Sequence, residues 1–287
     1  MQSSADKLRI LLEGPELLVT PACYDALSAR LIERAGFNLS FMSGFAVSAG
    51  RLGLPDTGLI SYGEMLEQGR NICNAVSIPV IGDGDTGYGN ALNVKRTVMG
   101  YAQAGFGCIM IEDQVAPKRC GHTRGKHVVD REEAISRIRA AVDARDEGAN
   151  ILIMARTDAR ATDGFDEAMW RIKAFSEQGA DILFLEAPEN EVEMRGFCEG
   201  VSGHKMVNLV EQGDTPLLPP RVLEEMGFKI ALYPLTMIEA ALAAMESALQ
   251  ALRLGKTPES LADFAHLREV VGFESYYEAE KKYAASK

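Results

Sequence analysis

The sequence is poor in the residues that mark several large classes of protein. Its five cysteines, at positions 23, 73, 108, 120 and 198, form neither a CxxC pair nor a dense framework, so we expect reduced thiols rather than a disulfide scaffold. No apolar run reaches the roughly 18 residues of a transmembrane helix. Glu13, Gly14 and Pro15 interrupt the first segment before any long apolar core, so a signal peptide is not predicted. We therefore expect a soluble cytoplasmic protein without a membrane partner.

Positive charge is also scarce. The 287 residues include 30 Lys and Arg against 41 Asp and Glu, which gives a formal net charge of -11 and a pI near 5.0. A nucleic-acid-binding protein needs a basic face, so that class of partner is not expected. With 47% hydrophobic and 25% charged residues the composition is typical of a folded globular protein, and a small molecule is the predicted ligand.

Short apolar runs alternate with amphipathic helical segments along the chain, as in a parallel sheet built from β-α units. The eight runs are LLVTPA (17–22), FNLSFMSG (37–44), IPVIGDGD (78–85), GCIMIED (107–113), ILIMARTD (151–158), DILFLEAP (181–188), KMVNLVE (205–211) and KIALYP (229–234). Glycines at positions 36, 105, 179 and 227 end the preceding helical segments, which predicts left-handed helix caps. Eight repeats that close on themselves predict an α/β fold of the (β/α)8 TIM-barrel type.

An open doubly wound sheet is the alternative fold. The GxGxxG fingerprint that would favour it is absent from the first β-α turn, and GDGDTGYG (82–89) lacks the P-loop ending. A further helix is predicted over 235–255, and its apolar stripe covers the barrel or contacts a neighbouring subunit. The stripe consists of Ile238, Leu242, Met245, Leu249 and Leu252. We predict one domain over 1–287, with C-terminal helices over 235–287.

Polar residues end six of the eight runs, and in TIM barrels the catalytic groups lie at those ends. Asp83 and Asp85 end the third run and can face the same way, with Glu112 from the next run beside them. Oxygen ligands without a His or Cys cluster favour Mg²⁺ or Mn²⁺ over zinc. In the alternative interpretation Asp85, Thr86 and Gly87 only cap a turn.

The segment APKRCGHTRGKHV (116–128) surrounds Cys120 with four basic side chains and two of the four histidines. Cationic surroundings lower the pKa of a thiol, so Cys120 is a candidate proton-transfer group. The alternative is a solvated basic loop in which the cysteine is incidental.

Arg156, in the motif MARTDAR, can bind a carboxylate with two hydrogen bonds. Asn208 and the backbone of Ser43 and Gly44 are further candidate donors to a small anionic substrate. Alternatively, Arg156 only neutralises Glu186 or Asp158. Carboxylates, an arginine, a cysteine and a divalent metal together predict chemistry through an enolate.

Five segments together resemble the isocitrate lyase and phosphoenolpyruvate mutase superfamily. They are SGFAVSAGRLGLPD (43–56), GDGDTGYGNALNV (82–94), IEDQVAPKRCGH (111–122), ARTDAR (155–160) and NLVEQGDTP (208–216). The resemblance begins near residue 5 and extends through the C-terminal residues. It implies Mg²⁺ or Mn²⁺ as cofactor and a homotetramer of two helix-swapped dimers. The KRCGH motif implies a carbon–carbon lyase, because the lyases of this superfamily use its cysteine.

The resemblance also implies a role for each site residue. The carboxylates around Mg²⁺ would be Asp56, Asp83, Asp85 and Glu112, with Asp85 as the direct ligand. The groups that bind the pyruvoyl carboxylate would be Ser43, Gly44 and Phe45. Cys120 would protonate the leaving fragment, whose carboxylate Gly121 and His122 would hold. The residues that orient the substrate would be Arg156, Glu186 and Asn208.

The substrate implied is a 2-hydroxy dicarboxylate of the 2-alkylmalate type, cleaved to an α-keto acid and a carboxylic acid. The SGxxVSA pattern and the ending FESYYEAEKKYA (273–284) resemble the 2,3-dimethylmalate lyase and petal-death-protein branch. Leu235 precedes Thr236, without the arginine that holds a third carboxylate in methylisocitrate lyases. Phe41 replaces a tyrosine of some relatives, so the general base is not identified.

Several other functions fit the same scaffold. Three are enzymatic: methylisocitrate lyase, oxaloacetate hydrolase or decarboxylase, and a phosphonomutase of the carboxyvinyl-carboxyphosphonate phosphorylmutase type. A non-catalytic oligomeric scaffold belongs to a different class, but it has no need of acids, an arginine and a cysteine at the strand ends.

Overall fold

The computed structural model describes residues 2–121 and 125–284, and in them eight parallel strands form a closed barrel in the order β1 to β8. The strands are β1 (Leu18–Cys23), β2 (Ser40–Met42), β3 (Val80–Asp83), β4 (Cys108–Glu112), β5 (Leu152–Thr157), β6 (Ile182–Leu185), β7 (His204–Asn208) and β8 (Ile230–Tyr233). β8 pairs with β1, with Leu18 opposite Ile230. The predicted (β/α)8 barrel is confirmed, and the doubly wound alternative is excluded.

The strands are apolar on both faces because both faces are covered. On β5, Leu152 and Met154 belong to the apolar cluster inside the barrel. Ile153 and Ala155 on the same strand belong to the cluster between the strands and the surrounding helices. This alternation explains why each strand appears in the sequence as a continuous apolar run.

Most of the helices follow a strand, and several begin at a side chain that caps them. The helices are α1 (Ser4–Glu13), α2 (Ala26–Arg34), α3 (Gly44–Val47), α4 (Tyr62–Ala75), α5 (Ala91–Ala104), α6 (Arg131–Asp146), α7 (Ala159–Asp163), α8 (Phe165–Glu177), α9 (Glu191–Gly200), α10 (Pro220–Met226), α11 (Thr236–Arg253), α12 (Phe264–Val271) and α13 (Phe273–Tyr283). A π-helical turn at Ser48–Leu52 follows α3. Ser3, Asp25 and Ser61 form capping boxes at α1, α2 and α4. The four predicted glycine caps all have positive φ.

Helix α1 covers the amino-terminal ends of the strands. Its buried residues Ala5, Leu8 and Leu12 belong to the cluster inside the barrel. Asn150, just before β5, donates from its Nδ2 to Ser3 Oγ over 2.9 Å. The first helix therefore closes this end of the barrel with apolar side chains.

Seven of the eight strands end before the predicted runs do, so the predicted polar residues lie partly at strand ends and partly in the segments that follow. The second run shrinks to Ser40–Met42, because Ser43 becomes the N-cap of α3 and accepts a hydrogen bond from Ala46 N. Asp83 is the last residue of β3, and Glu112 is the last residue of β4. These side chains reach the carboxyl-terminal end of the barrel, where TIM-barrel sites are built.

The chain divides into two compact units, the first ending at Met237 and the second beginning at Ile238. The second unit consists of most of α11 together with α12 and α13. No residue of α11 is buried, and Leu242, Leu249 and Leu252 are between 54% and 65% exposed. None of the helices in the described residues is both long and apolar enough to cross a membrane.

Candidate active site at the carboxyl-terminal end of the barrel

A pocket opens at the carboxyl-terminal ends of the strands and brings the predicted residues together. Its lining includes eight of them: Ser43, Phe45, Asp56, Asp83, Cys120, Gly121, Arg156 and Asn208. The apolar part of the lining consists of Phe41, Met110, Phe184, Val210, Leu232, Pro234 and Leu235. The pocket is thus lined by both charged and apolar side chains.

Four predicted residues do not line the pocket but contact residues that do. Gly44 N donates to Asp83 Oδ2 over 3.1 Å, so this amide is engaged with a carboxylate. Asp85 contacts Lys118 (2.8 Å). The remaining two, Glu112 and Glu186, lie 3.4 and 3.5 Å from the Arg156 guanidinium. His122 was also predicted to bind substrate, and it lies outside the described residues.

The end of β3 is held by hydrogen bonds to Asp83. Its Oδ1 accepts from Asp85 N over 3.0 Å, and its backbone oxygen accepts from Tyr101 OH over 2.7 Å. Asp85 has a φ of 48°, the left-handed conformation that suits a tight turn. Burial, together with the neighbouring Asp85, raises the pKa of the Asp83 carboxyl.

The acidic cluster consists of Asp56, Asp83, Asp85 and Glu112, all of which are buried. Within the described residues Glu112 Oε1 has no hydrogen-bond partner. Burial raises the pKa of the Glu112 carboxyl well above its usual range, although Arg156 opposes the shift. Buried carboxylates of this kind repel one another, and hard oxygen donors suit Mg²⁺ or Mn²⁺. The side chains present therefore fit the predicted cofactor.

Lys118 lies within this cluster, which sequence reasoning did not foresee. Its Nζ is 2.7 Å from Asp56 Oδ1 and 2.8 Å from Asp85 Oδ1. Burial alone would lower its pKa, but Asp85, Asp83 and the other carboxylates raise it well above the usual value. No group of three or more His, Cys, Asp or Glu side chains among the described residues is arranged to hold a metal in this conformation.

Arg156 is held by Asp158 in a bidentate pair. Its Nε lies 2.8 Å from Asp158 Oδ2, and its Nη2 lies 2.9 Å from Asp158 Oδ1. Arg156 therefore does pair with Asp158, as the alternative interpretation expected. Because Arg156 also lines the pocket, the pair fixes the guanidinium there. Asn208 Nδ2 donates to Glu186 Oε1 over 3.2 Å, which links β7 to the loop after β6.

A buried network behind Asp158 also escaped sequence reasoning. Asp113 accepts from Asp158 N (2.9 Å), Thr157 Oγ1 (2.6 Å) and Arg171 Nη1 (3.1 Å). Arg171 comes from α8, where it lies on the buried face with Ala168 and Phe175. A charged residue on the apolar face of a helix was the signal that could have found it.

The Cys120 segment is tied down on both sides. Gln114 bonds the backbone of Arg119 twice, at 2.8 and 2.9 Å. Lys126 Nζ donates to Gly121 O and lies 3.2 Å from Asp158 Oδ1. A Cβ at Gly121 would come within 2.6 Å of Arg156 Nη2, so only glycine allows this approach. Half-buried Cys120 is thereby held at the pocket.

The family model for phosphoenolpyruvate phosphomutase matches residues 8–253, which is most of the chain. The chain belongs to this family. The predicted superfamily is thus confirmed, and with it the prediction that the chain is an enzyme.

Relatives of the chain carry different activities in their names. The 2,3-dimethylmalate lyase of Eubacterium barkeri is 43% identical over 289 residues, which covers 99% of this chain and 100% of the lyase. A structure of oxaloacetate acetylhydrolase with 3,3-difluorooxalacetate has a TM-score of 0.94 at 35% identity, covering 98% of this chain and 97% of the hydrolase. A structure of phosphonopyruvate hydrolase with oxalate and Mg²⁺ has a TM-score of 0.87 at 30% identity, covering 98% and 99%. The fold is therefore shared by relatives that differ in chemistry.

Proposed function

We propose that the protein is a Mg²⁺-dependent carbon–carbon lyase that cleaves a 2-hydroxy dicarboxylate of the 2-alkylmalate type. The observation that carries this proposal is the position of Cys120, which lines the same pocket as Asp56, Asp83, Arg156 and Asn208. Similarity to a 2,3-dimethylmalate lyase along the whole chain supports the same substrate class. A proton donor in the same pocket as acidic side chains and a fixed arginine suits the cleavage of a bond next to a carboxylate.

The proposed reaction is a retro-aldol cleavage. The substrate's 2-hydroxyl loses its proton, the C2–C3 bond breaks, and the C2 half leaves as an α-keto acid. The electron pair of the broken bond remains on the other half as an aci-carboxylate, and Cys120 Sγ–H donates a proton to its carbon to complete the carboxylic acid. The proton removed from the hydroxyl passes to solvent, and a proton from solvent restores the Cys120 thiol, so the two products together contain all the atoms of the substrate.

Residues of the pocket would stabilise the negative charge that develops on the substrate during cleavage. Arg156, held by Asp158, presents a fixed guanidinium to a substrate carboxylate, and Asn208 is a further donor. Asp56, Asp83, Asp85 and Glu112 would hold Mg²⁺. When bound, Mg²⁺ supplies a Lewis acid that stabilises negative charge on the substrate oxygens.

The apolar wall of the pocket supports an alkylated substrate. Val210, Leu232 and Leu235 offer carbon surface to an alkyl group. Among the described lining residues the cations are Lys118, Arg119 and Arg156, and the first and last of these are already paired with carboxylates. A third carboxylate would have few partners, which disfavours a tricarboxylate such as methylisocitrate.

A keto-acid release assay tests the proposal. The purified protein is given 2-alkylmalates, 2,3-dimethylmalate, methylisocitrate, isocitrate and oxaloacetate, each with Mg²⁺ and with a chelator. We expect α-keto acid from the alkylmalates only when Mg²⁺ is present, and almost none from the Cys120→Ser variant. Release from methylisocitrate alone would instead assign the tricarboxylate as substrate.

Oxaloacetate hydrolysis is the second candidate, because the oxaloacetate acetylhydrolase structure is as similar to this chain, with a TM-score of 0.94, as a 2,3-dimethylmalate lyase structure is. Hydrolysis yields acetate and oxalate, whereas decarboxylation yields pyruvate, so product analysis by chromatography separates them. If oxaloacetate is consumed at full rate by Cys120→Ser while no alkylmalate reacts, the lyase proposal is wrong.

We also propose that the exposed stripe of α11 is an exchanged element of a homotetramer. Leu242, Met245 and Leu249 are each more than half exposed, which is unusual for so many large apolar residues on one helix. Light scattering of wild type and of a Leu242→Asp, Leu249→Asp double variant tests this. We expect a tetramer for the first and smaller species for the second; an unchanged mass would refute the exchange.

A further inference from the structure

A lysine ammonium occupies the centre of the acidic cluster. Lys118 Nζ lies 2.7 Å from Asp56 Oδ1, 2.8 Å from Asp56 Oδ2 and 2.8 Å from Asp85 Oδ1. The side chains of all three residues are no more than 5% exposed. The ammonium is thus bound by the same oxygens that the proposed function gives to a divalent cation.

Among the described residues, few other positive charges lie near the cluster. Arg156 is a second buried cation near the cluster, but the edge of its guanidinium formed by Nε and Nη2 is engaged by Asp158, and its Nε is 3.4 Å from Glu112 Oε2. Lys126 lies against Asp158. Within the described residues, Lys118 is therefore the cation paired with Asp56 and Asp85, whose charges would otherwise repel in a buried site.

We propose that the Lys118 ammonium binds Asp56 and Asp85 when no metal is bound, and that it competes with the divalent metal for these two carboxylates. Metal binding then requires displacement of the Lys118 ammonium. This inference rests on the proposed Mg²⁺ site. It assigns to Lys118 a positioning role, acting on the metal ligands and on the segment that carries Cys120.

The displacement affects the Cys120 segment because Lys118 is one of its anchors. Lys118 is two residues from Cys120, and its neighbour Pro117 packs on the segment after Asp56. A Cβ at Gly58 would lie 2.9 Å from Pro117 Cβ and 3.2 Å from Lys118 N, so the two segments are in close contact. Loss of the Lys118 ion pairs removes one tie and leaves those made by Gln114 and Lys126. Metal binding is therefore expected to loosen the segment before substrate arrives.

Metal affinity tests the competition directly. Mn²⁺ binding is measured by electron paramagnetic resonance for wild type, Lys118→Met and a control, Lys95→Met. Lys95 pairs with Glu147 at the surface and also loses one positive charge. We expect Lys118→Met to bind Mn²⁺ more tightly by about 5–150-fold, the usual range of coupling between two ligands, and Lys95→Met to match wild type.

Three results would overturn the inference. They differ in whether the proposed metal site is refuted as well. Equal or weaker Mn²⁺ binding by Lys118→Met refutes the competition and leaves the metal site standing. An equal gain in Lys95→Met shows a general charge effect. No Mn²⁺ binding by any of the three proteins refutes both the metal site and this inference.

A second measurement needs only the wild-type protein, in case Lys118→Met does not fold. The rate of Cys120 alkylation by iodoacetamide is followed by mass spectrometry during a Mn²⁺ titration, with half-buried Cys73 as internal reference. We expect Cys120 to react faster as Mn²⁺ binds, with the same midpoint as the binding curve, and Cys73 to stay constant. An unchanged or slower rate at saturating Mn²⁺ would overturn the proposal.

Discussion

The two ends of the barrel differ in what they bury, although the same eight strands form both. The amino-terminal end is filled by Ala5, Leu8 and Leu12 of α1, all at most 4% exposed. The carboxyl-terminal end places carboxylates and cations side by side, with Glu112 only 2% exposed. One end gains stability from apolar burial, while the other holds charges that are costly to bury. Stability and chemistry are thus separated along the barrel axis.

The largest expected effect is at the charged end. Cys120→Ser should lower the rate of keto-acid release by about 10²–10⁴-fold, because a hydroxyl is a far weaker acid than a thiol and a general acid contributes about this much. Thermal melting should hardly change, since the side chain is half-buried and the substitution is nearly isosteric. Steady-state kinetics and a melting curve check both. A large fall in melting temperature would mean that Cys120 also serves the fold.

The next effect belongs to the apolar end. Leu8→Ala should destabilise the protein by about 2–5 kcal/mol, because it removes buried methyl groups and leaves a cavity. Keto-acid release at 25 °C should keep its kcat/KM. Urea unfolding measures the stability, and Ile10→Ala on the 55% exposed face of the same helix is the matched control. Lost activity in folded Leu8→Ala would break the separation between the two ends.

A third substitution should affect function and stability in opposite directions. Glu112→Gln should weaken Mn²⁺ binding by about 10–100-fold, the range seen when groups around a metal are altered. It should also stabilise the metal-free protein by about 0.5–2 kcal/mol, because one buried negative charge is removed from the cluster. Isothermal titration and melting curves measure the two effects, with exposed Glu132→Gln on α6 as control. A destabilised variant with normal metal binding would refute both the cost assigned to the buried charge and the role of Glu112 at the metal site.

The smallest effect concerns His204, at the start of β7. Burial and the nearby Lys229 and Lys205 lower its pKa from the usual 6.5. The unfolded chain therefore binds the proton more readily, so stability is fully present above about pH 6.5 and is lost as pH falls toward the folded pKa. Urea midpoints of wild type and His204→Gln should agree at pH 7.5 and separate below pH 6.5. The same separation in His266→Gln would show another cause.

The barrel could be predicted from the sequence because its signals are local. Each strand is a continuous apolar run, and the glycine before the next run marks the end of a helix. The site residues could be located because the carboxyl ends of parallel strands converge on one face. Asp83, Glu112 and Arg156 meet there as expected.

The pairing of the charges could not be predicted in the same way. The ion pairs of Lys118 with Asp56 and Asp85 join residues 62 and 33 positions apart, and they depend on the path of an irregular loop. The bond from Arg171 to Asp113 likewise depends on how α8 packs on β5. Charge partners over such distances follow from three-dimensional packing, which no periodicity in the sequence encodes.

Closure of the barrel also bears on aggregation. In the described part of the chain every strand has a neighbour on each side, so the backbone offers no free edge on which a second chain could add a strand. The seam between β1 and β2 has only two opposed residue pairs, the fewest in the barrel. If the barrel opens at this seam, β1 and β2 expose strand edges that can pair with another chain. The pairing of the three-residue strand β2 with β1 therefore protects the partly unfolded protein from aggregation.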